Sequence, residues 1–326
     1  MRRTRRIAVP GLLLALAILA PAAEARRGPC IPGIKKKNCR VWTAKVMQVA
    51  DGDTVNVRVR ENGRWSERRD VRLTGVQAME LTRYSRARGR RGQCHAVSAT
   101  ERLEHLLKGP RKKRRRIRLA ARRPNSASGG RRGRLRRAIG FRQRGRWQDA
   151  GAVLMREGRA LWDPNGKEWA WNRRYSKLAQ RAALAGRGMY DTDACRSGPH
   201  QTIPISLRVK WDADGRDGSN VNGEWFRIRN HDPATPLPLR RWWVRDSFNR
   251  RYTFGRQAVV PPGGSIRVRV GRGRDRADTF YWGLPDPIFE NATRGRRGMG
   301  DGGYLFDPHG DLRAWHIYPC RVGCGR

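Results

Sequence analysis

An α+β domain followed by an all-β sandwich is the architecture that the sequence predicts, and three observations carry the prediction. From residue 41 to 74, apolar and polar residues alternate at period two. From there to residue 195, helical and strand periods interleave. Beyond Pro204 the helical period vanishes, and short alternating runs recur between Gly- and Pro-rich turns.

The chain begins with a segment that is not part of either domain. Arg2, Arg3, Arg5 and Arg6 precede an apolar run over residues 11–20, and Ala23 and Ala25 offer small residues for cleavage. This order predicts a secretory signal at residues 1–25 and an extracellular protein. The run is about half the ~20 residues a membrane span needs, and no later segment approaches that length, so no membrane span is expected. Residues 26–40 form a basic leader, expected to be irregular.

In residues 41–195 the elements follow in order. Val55, Val57 and Val59 alternate with Asn56, Arg58 and Arg60, with Asp51-Gly52-Asp53 as the turn before and Glu61-Asn62-Gly63 as the turn after. Residues 65–74 make the third strand of a meander. Residues 98–107 place Leu103, Leu106 and Leu107 on one helical face and stop at Gly109-Pro110. Strands through Ile117 and Leu119, then through Leu135 and Ile139, follow. Asp149 is placed to cap a short helix that ends at Gly158, and residues 167–185 predict a longer helix closed by Gly186. Three strands, a helix, two strands and two helices fit a five-stranded barrel of the oligonucleotide-binding (OB) type.

Residues 196–202 read as a linker, and 203–320 as the second domain. Ile205, Leu207, Val209 and Trp211 alternate with polar residues, as do Ile266, Val268 and Val270. Asp-Gly, Pro-Gly-Gly and Asp-Pro turns recur between such runs, which predicts an immunoglobulin-like sandwich. Asp212, Asp214 and Asp217 fall in a Gly-containing loop and form a possible second calcium loop. The loop lacks the terminal glutamate of an EF-hand, and a polar hairpin turn is the competing reading.

Charge points to a partner. The 326 residues carry a formal net charge of +44. No acidic residue occurs between Arg111 and Trp147. A cluster of that kind suits nucleic acid or an anionic cell-envelope polymer, and Lys112, Lys113, Arg114 and Arg115 are its densest part. Six cysteines in an exported chain predict disulfides before metal. Six allow 15 pairings. Nearness favours Cys30 with Cys39, Cys94 with Cys195, and Cys320 with Cys324. No cysteine pair is spaced with histidines as zinc requires.

Two resemblances sharpen these expectations. Val49-Ala50-Asp51-Gly52-Asp53-Thr54-Val55 resembles the first active-site turn of the staphylococcal nuclease family. Residues 71–80, with Arg72, Gln77, Ala78 and Glu80, resemble its second motif, and Gly133-Arg134 its third. The resemblance spans about residues 41–195. It implies a calcium-dependent nuclease acting on DNA and RNA, with Asp53, Gln77 and the Ala78 main-chain oxygen as calcium ligands. Arg72 and Arg134 would clamp the phosphate, and Glu80 would accept a proton from water. These residue types suit the chemistry, because calcium takes hard oxygens and a phosphodiester gains negative charge on attack. Gln77 stands where the family has an aspartate, which removes one negative charge. A weakened nuclease and a binding protein on the same frame are therefore both open. Trp162 lies where the family presents a tyrosine, either to stack on a base or to pack in the core. Residues 203–318 resemble a lamin tail domain through Asn222-Gly223-Glu224-Trp225, Trp243-Val244-Arg245-Asp246 and Pro262-Gly263-Gly264-Ser265. That resemblance implies a non-catalytic accessory or targeting role.

Overall fold

The computed structural model describes residues 25–33, 38–81, 92–108, 116–128, 133–196, 198, 200–293, 295 and 297–323. The expected signal segment up to Glu24, the basic run Lys112, Lys113, Arg114 and Arg115, and Cys324 lie outside the described residues.

The N-terminal half is built on one sheet. Its elements are β1 (Arg26–Gly28), β2 (Cys39–Val49), β3 (Thr54–Glu61), β4 (Arg64–Leu73), β5 (Val76–Gln77), α1 (Ala96–Lys108), β6 (Arg116–Ala121), β7 (Ala127–Ser128), β8 (Arg134–Gln143), β9 (Arg146–Asp149), α2 (Ala150–Arg156), β10 (Leu161–Trp162) and α3 (Asn172–Leu184). β2, β3 and β4 form the expected antiparallel meander. β4 then pairs parallel with β8, β8 antiparallel with β6, and β6 antiparallel with β2. The path of pairings thus returns to its first strand. Val55, Val57 and Val59 point inward and are buried, whereas Arg58 and Arg60 are exposed, as the alternation requires.

Two local expectations need correction. The leader is not irregular throughout, because β1 pairs with the start of β2 and the Cys30–Cys39 disulfide closes the connection. The long helix begins at Asn172 rather than residue 167. Residues 167 and 168 donate their N–H groups to Asn165 Oδ1 at 3.0 and 2.8 Å, and Trp169–Trp171 forms a single 3-10 turn. Glu168 meanwhile accepts from the N–H groups of Arg122 and Arg123, which holds it out of helical register. Other expectations hold. Asp149 caps α2 by accepting from Ala152 N at 3.2 Å, and Tyr175 Oη on α3 donates to the same oxygen at 2.8 Å. Gly186 follows α3 with φ +58°.

The C-terminal half is a β-sandwich. Its strands are β11 (Ile205–Lys210), β12 (Trp225–Asn230), β13 (Leu237–Pro238), β14 (Trp243–Asp246), β15 (Arg251–Thr253), β16 (Val259–Val260), β17 (Ser265–Arg269), β18 (Thr279–Tyr281), β19 (Asp301–Phe306) and β20 (Leu312–Tyr318). One sheet runs β11-β12-β17-β18 and the other β15-β14-β19-β20. Leu207, Val209, Phe226, Ile228, Ile266 and Val268 fill the space between them.

The second sheet packs on the N-terminal half. Trp243, Tyr304, Phe306, Leu312 and Ile317 belong to the same apolar cluster as the N-terminal core. Each such side chain contributes ~1.5–3 kcal/mol by burial. Tyr190 meets Trp315 edge-on with ring centroids 5.2 Å apart. Gln180 Nε2 donates to the carbonyls of Ile317 and Pro319 at 3.1 and 2.9 Å, and Arg321 N donates to Gln180 Oε1 at 2.9 Å. Cys94 pairs with Cys195, whose N–H donates to Asp311 at 2.8 Å. Cys320 is disulfide-bonded, and its expected partner Cys324 lies outside the described residues.

Candidate functional site

The turn between β2 and β3 sets the first group. Asp51 Oδ1 accepts from Asp53 N at 2.9 Å, the side-chain-to-backbone turn that aspartate favours. Ala50 N and Asp51 N both donate to Thr54 O. Glycine is required at position 52, because a Cβ there would lie 2.6 Å from Ala78 Cβ and 2.8 Å from Ala99 Cβ. That absence of a side chain lets α1 and the segment after β5 close on the turn.

Asp53 is 2% exposed and fully engaged. Its Oδ1 accepts from Thr54 Oγ1 at 3.1 Å and from Arg72 Nη1, and its Oδ2 from Ala78 N at 2.7 Å. The other nitrogen of the Arg72 fork donates to Gln77 Oε1. Gln77 Nε2 faces the Ala78 carbonyl at 3.1 Å and Glu80 Oε1 at 3.4 Å. Arg134 Nη1 donates to Thr54 Oγ1 at 3.1 Å. Asp53, Arg72, Gln77, Ala78, Glu80 and Arg134, spread over some 80 positions, therefore meet in one cluster.

Asp51 supports the turn, and several further members of the cluster give no sequence signal. Asp163, after β10, is 2% exposed and pairs with Arg136 at 3.3 Å. Gln93 Oε1 accepts from Glu80 N at 2.9 Å. Two residues come from the sandwich: Asn249 Nδ2 lies 3.4 Å from Glu80 Oε1, and the buried Arg245 reaches Met79 Sδ at 3.9 Å. Arg245 Nη2 and Asp163 Oδ1 are buried without a hydrogen-bond partner.

Burial raises the Asp53 carboxyl, against the pull of Arg72 and with Asp51 adding to the rise. Burial alone lowers Arg72, yet Asp53, Asp163, Asp51 and Glu80 together hold it above its ordinary value. Both shifts share a cause: several carboxylates converge on one guanidinium in a poorly solvated site. Burial raises Asp163 as well, opposed by Arg136, Arg72 and Arg245.

At two other positions, where the sequence leaves two readings open, the geometry favours the structural one. Trp162 is fully buried and its β10 residue pairs with Val76, so its ring is core and presents no face to a base. The Asp212, Asp214 and Asp217 loop is a polar turn. Asp217 accepts from Ala213 N at 3.0 Å and Asn291 Nδ2 at 2.7 Å, Asp214 pairs with Lys210, and the three carboxylates do not converge. Cys94, His95 and Cys195 do converge, but both sulfurs are in the disulfide and neither is a thiolate ligand. A separate cleft lined by Arg26, Arg27, Trp42, Arg60 and Arg118 shares no residue with the cluster.

The fold of the second half agrees with a known family. The Lamin Tail Domain family model matches residues 209–320, which are the β-sandwich apart from the first strand's start. The match covers that part of the chain and does not extend into the N-terminal half. No curated protein matches the chain. Among the described residues, no helix is long and apolar enough to cross a membrane. The disulfides Cys30–Cys39 and Cys94–Cys195 are compatible with an extracellular protein.

Proposed function

We propose that the chain is an exported nuclease that hydrolyses DNA or RNA phosphodiesters with calcium, and that its sandwich serves as an accessory domain. The observation that carries the reading is the convergence of Asp53, Arg72, Gln77, Ala78, Glu80 and Arg134 on one cluster. On this reading the circuit β2-β3-β4-β8-β6 is an OB-type barrel of the staphylococcal nuclease kind, and the cluster sits where that family hydrolyses its substrate.

The donor chemistry fits calcium. Asp53 offers a carboxylate, Gln77 an amide oxygen and Ala78 a carbonyl, all hard ligands linked by the hydrogen bonds above. Calcium, when bound, supplies positive charge for a phosphoryl oxygen. The chain's own residues do the rest. Glu80 accepts the proton of the attacking water, its Oε1 steadied by the Gln77 and Asn249 amides. Arg134 and Arg72 face the charge that grows on the phosphoryl oxygens. The +44 net charge favours a polyanionic substrate.

One observation favours a second reading. Arg72 is 8% exposed and committed to Asp53 and Gln77, so the buried carboxylate is already neutralised from within. A protein that grips nucleic acid without cutting it has the same residues. Incubating the purified chain with plasmid and with RNA, with millimolar calcium or with chelator, separates the two. The nuclease reading expects calcium-dependent cleavage that Glu80→Gln lowers by roughly 10²–10⁴ while binding persists. Binding without cleavage in calcium selects the second reading.

A further inference from the structure

The outer sheet of the sandwich carries a pattern that folding does not need. Arg208 on β11, Arg227 on β12 and Arg267 on β17 are direct cross-strand partners. Three arginines therefore stand in a row, neighbours ~4.8 Å apart, on one face of adjacent strands. Arg229 lies two residues further along β12, on the same face. The opposite face of these strands carries the apolar core. Like charges set directly opposite each other in a sheet are destabilising, and this face sets three in register.

Among the described residues, no carboxylate lies within 4.0 Å of Arg208, Arg227, Arg229 or Arg267. Burial lowers the Arg227 guanidinium, and Arg208, Arg267 and Arg229 lower it further. Trp225 stands beside the row, with Arg267 and Arg227 at 5.5 and 5.9 Å from its ring. The sheet is not the one that packs on the N-terminal half, so the face is turned away from the cluster described above.

We infer that this face of the sandwich binds single-stranded polynucleotide. A row of unpaired guanidiniums complements successive phosphates, and an aromatic ring among them gives a base a surface to stack on. This sheet face presents no helix to a duplex groove, whereas its row of guanidiniums can lie along a single strand. The surface is separate from the proposed catalytic cluster and stands whether or not that cluster cuts.

The test uses the full chain in chelator, with labelled oligothymidylate, a duplex of equal length, and phosphatidylglycerol vesicles, across a salt series. Replacing Arg208, Arg227 and Arg267 by Gln removes three phosphate contacts. Each single-strand contact contributes ~0.7 to the slope of log affinity against log salt, so the slope falls by roughly 2. Extrapolated from 1 M salt, affinity at 0.15 M falls roughly 50-fold. Arg240, Arg256 and Arg274, exposed in loops of the same domain, form the matched control on replacement by Gln. Trp225→Leu lowers single-strand affinity by about 5- to 150-fold and leaves duplex binding nearly unchanged. Equal losses from the two triple variants, or no loss from the first, overturn the proposal. Loss of vesicle binding in place of oligonucleotide binding overturns the assigned partner. Equal loss of duplex binding in Trp225→Leu overturns the single-strand assignment. A thermal melt of each variant confirms that the sheet is folded.

Discussion

Removing Arg72 tests how the cluster is held together. Its side chain is 9% exposed and that of Asp53 3%, so the two charges meet with almost no water. Taking one partner from a buried pair costs about 3–5 kcal/mol, mainly because the other charge is stranded. Arg72→Met should fall in that range, since it leaves Asp53 without its cation and removes the donor to Gln77. Asp53→Asn should cost less, about 1–3 kcal/mol, because Asp163, Asp51 and Glu80 still face the Arg72 guanidinium and an amide oxygen still accepts from Ala78 N. The double variant strands nothing, so its cost should fall short of the sum by about 2 kcal/mol. Urea unfolding in chelator, fitted by linear extrapolation, measures all three. Millimolar calcium should then raise the stability of Arg72→Met more than that of the parent, because a cation replaces a lost cation beside Asp53. Additive costs within ~0.5 kcal/mol, or an Arg72→Met cost below about 1 kcal/mol, refute this account of the pair.

Gln77→Asp adds a carboxylate beside Asp53 and removes the donor to Glu80, so it should shift the calcium titration of cleavage to lower calcium; an unmoved titration curve means Gln77 is not at the metal site. Burial, with Arg208 adding, holds His316 down at about 4 against 6.5, and its Nδ1 accepts from Val209 N at 3.1 Å. The folded state therefore resists protonation: this contribution is complete above pH 6.5 and is lost as pH falls through 4, about 3 kcal/mol in all. Melts between pH 7 and 4 should show that loss, reduced in His316→Gln; parallel pH curves for the two proteins refute it. Replacing Cys94 and Cys195 by Ser opens a closure spanning 101 residues and should cost about 4–5 kcal/mol in chemical denaturation. A cost below about 1 kcal/mol sinks the idea that this bridge restricts the unfolded chain.

What the sequence made legible was local. Val55, Val57 and Val59 announce β3 because period-two burial is a property of the strand itself. Leu103, Leu106 and Leu107 mark the buried face of α1, and Asp149 marks the cap of α2, for equally local reasons. The ordered motifs around Asp53, Arg72, Glu80 and Arg134 name residues that do come together. What stayed hidden depends on distant partners. Glu168 breaks the predicted helix start because two N–H groups some 45 positions earlier claim its carboxylate. Trp162 is core because β10 pairs with β5, a contact no window of sequence contains. Arg245 and Asn249 reach Met79 and Glu80 only because the halves are packed together, a contact that no division of the chain at residues 196–202 contains.

That packing changes what the connection at residues 196–202 means. A module on a tether can be cut loose and still fold, but here Trp243, Tyr304 and Phe306 complete the other half's interior. Severing the chain between the halves would leave a nicked, associated protein rather than two free fragments. Heating should melt both halves in one cooperative step, with the hairpin tip that touches Glu80 lost at the same temperature as the strands behind it. The two halves share one interior.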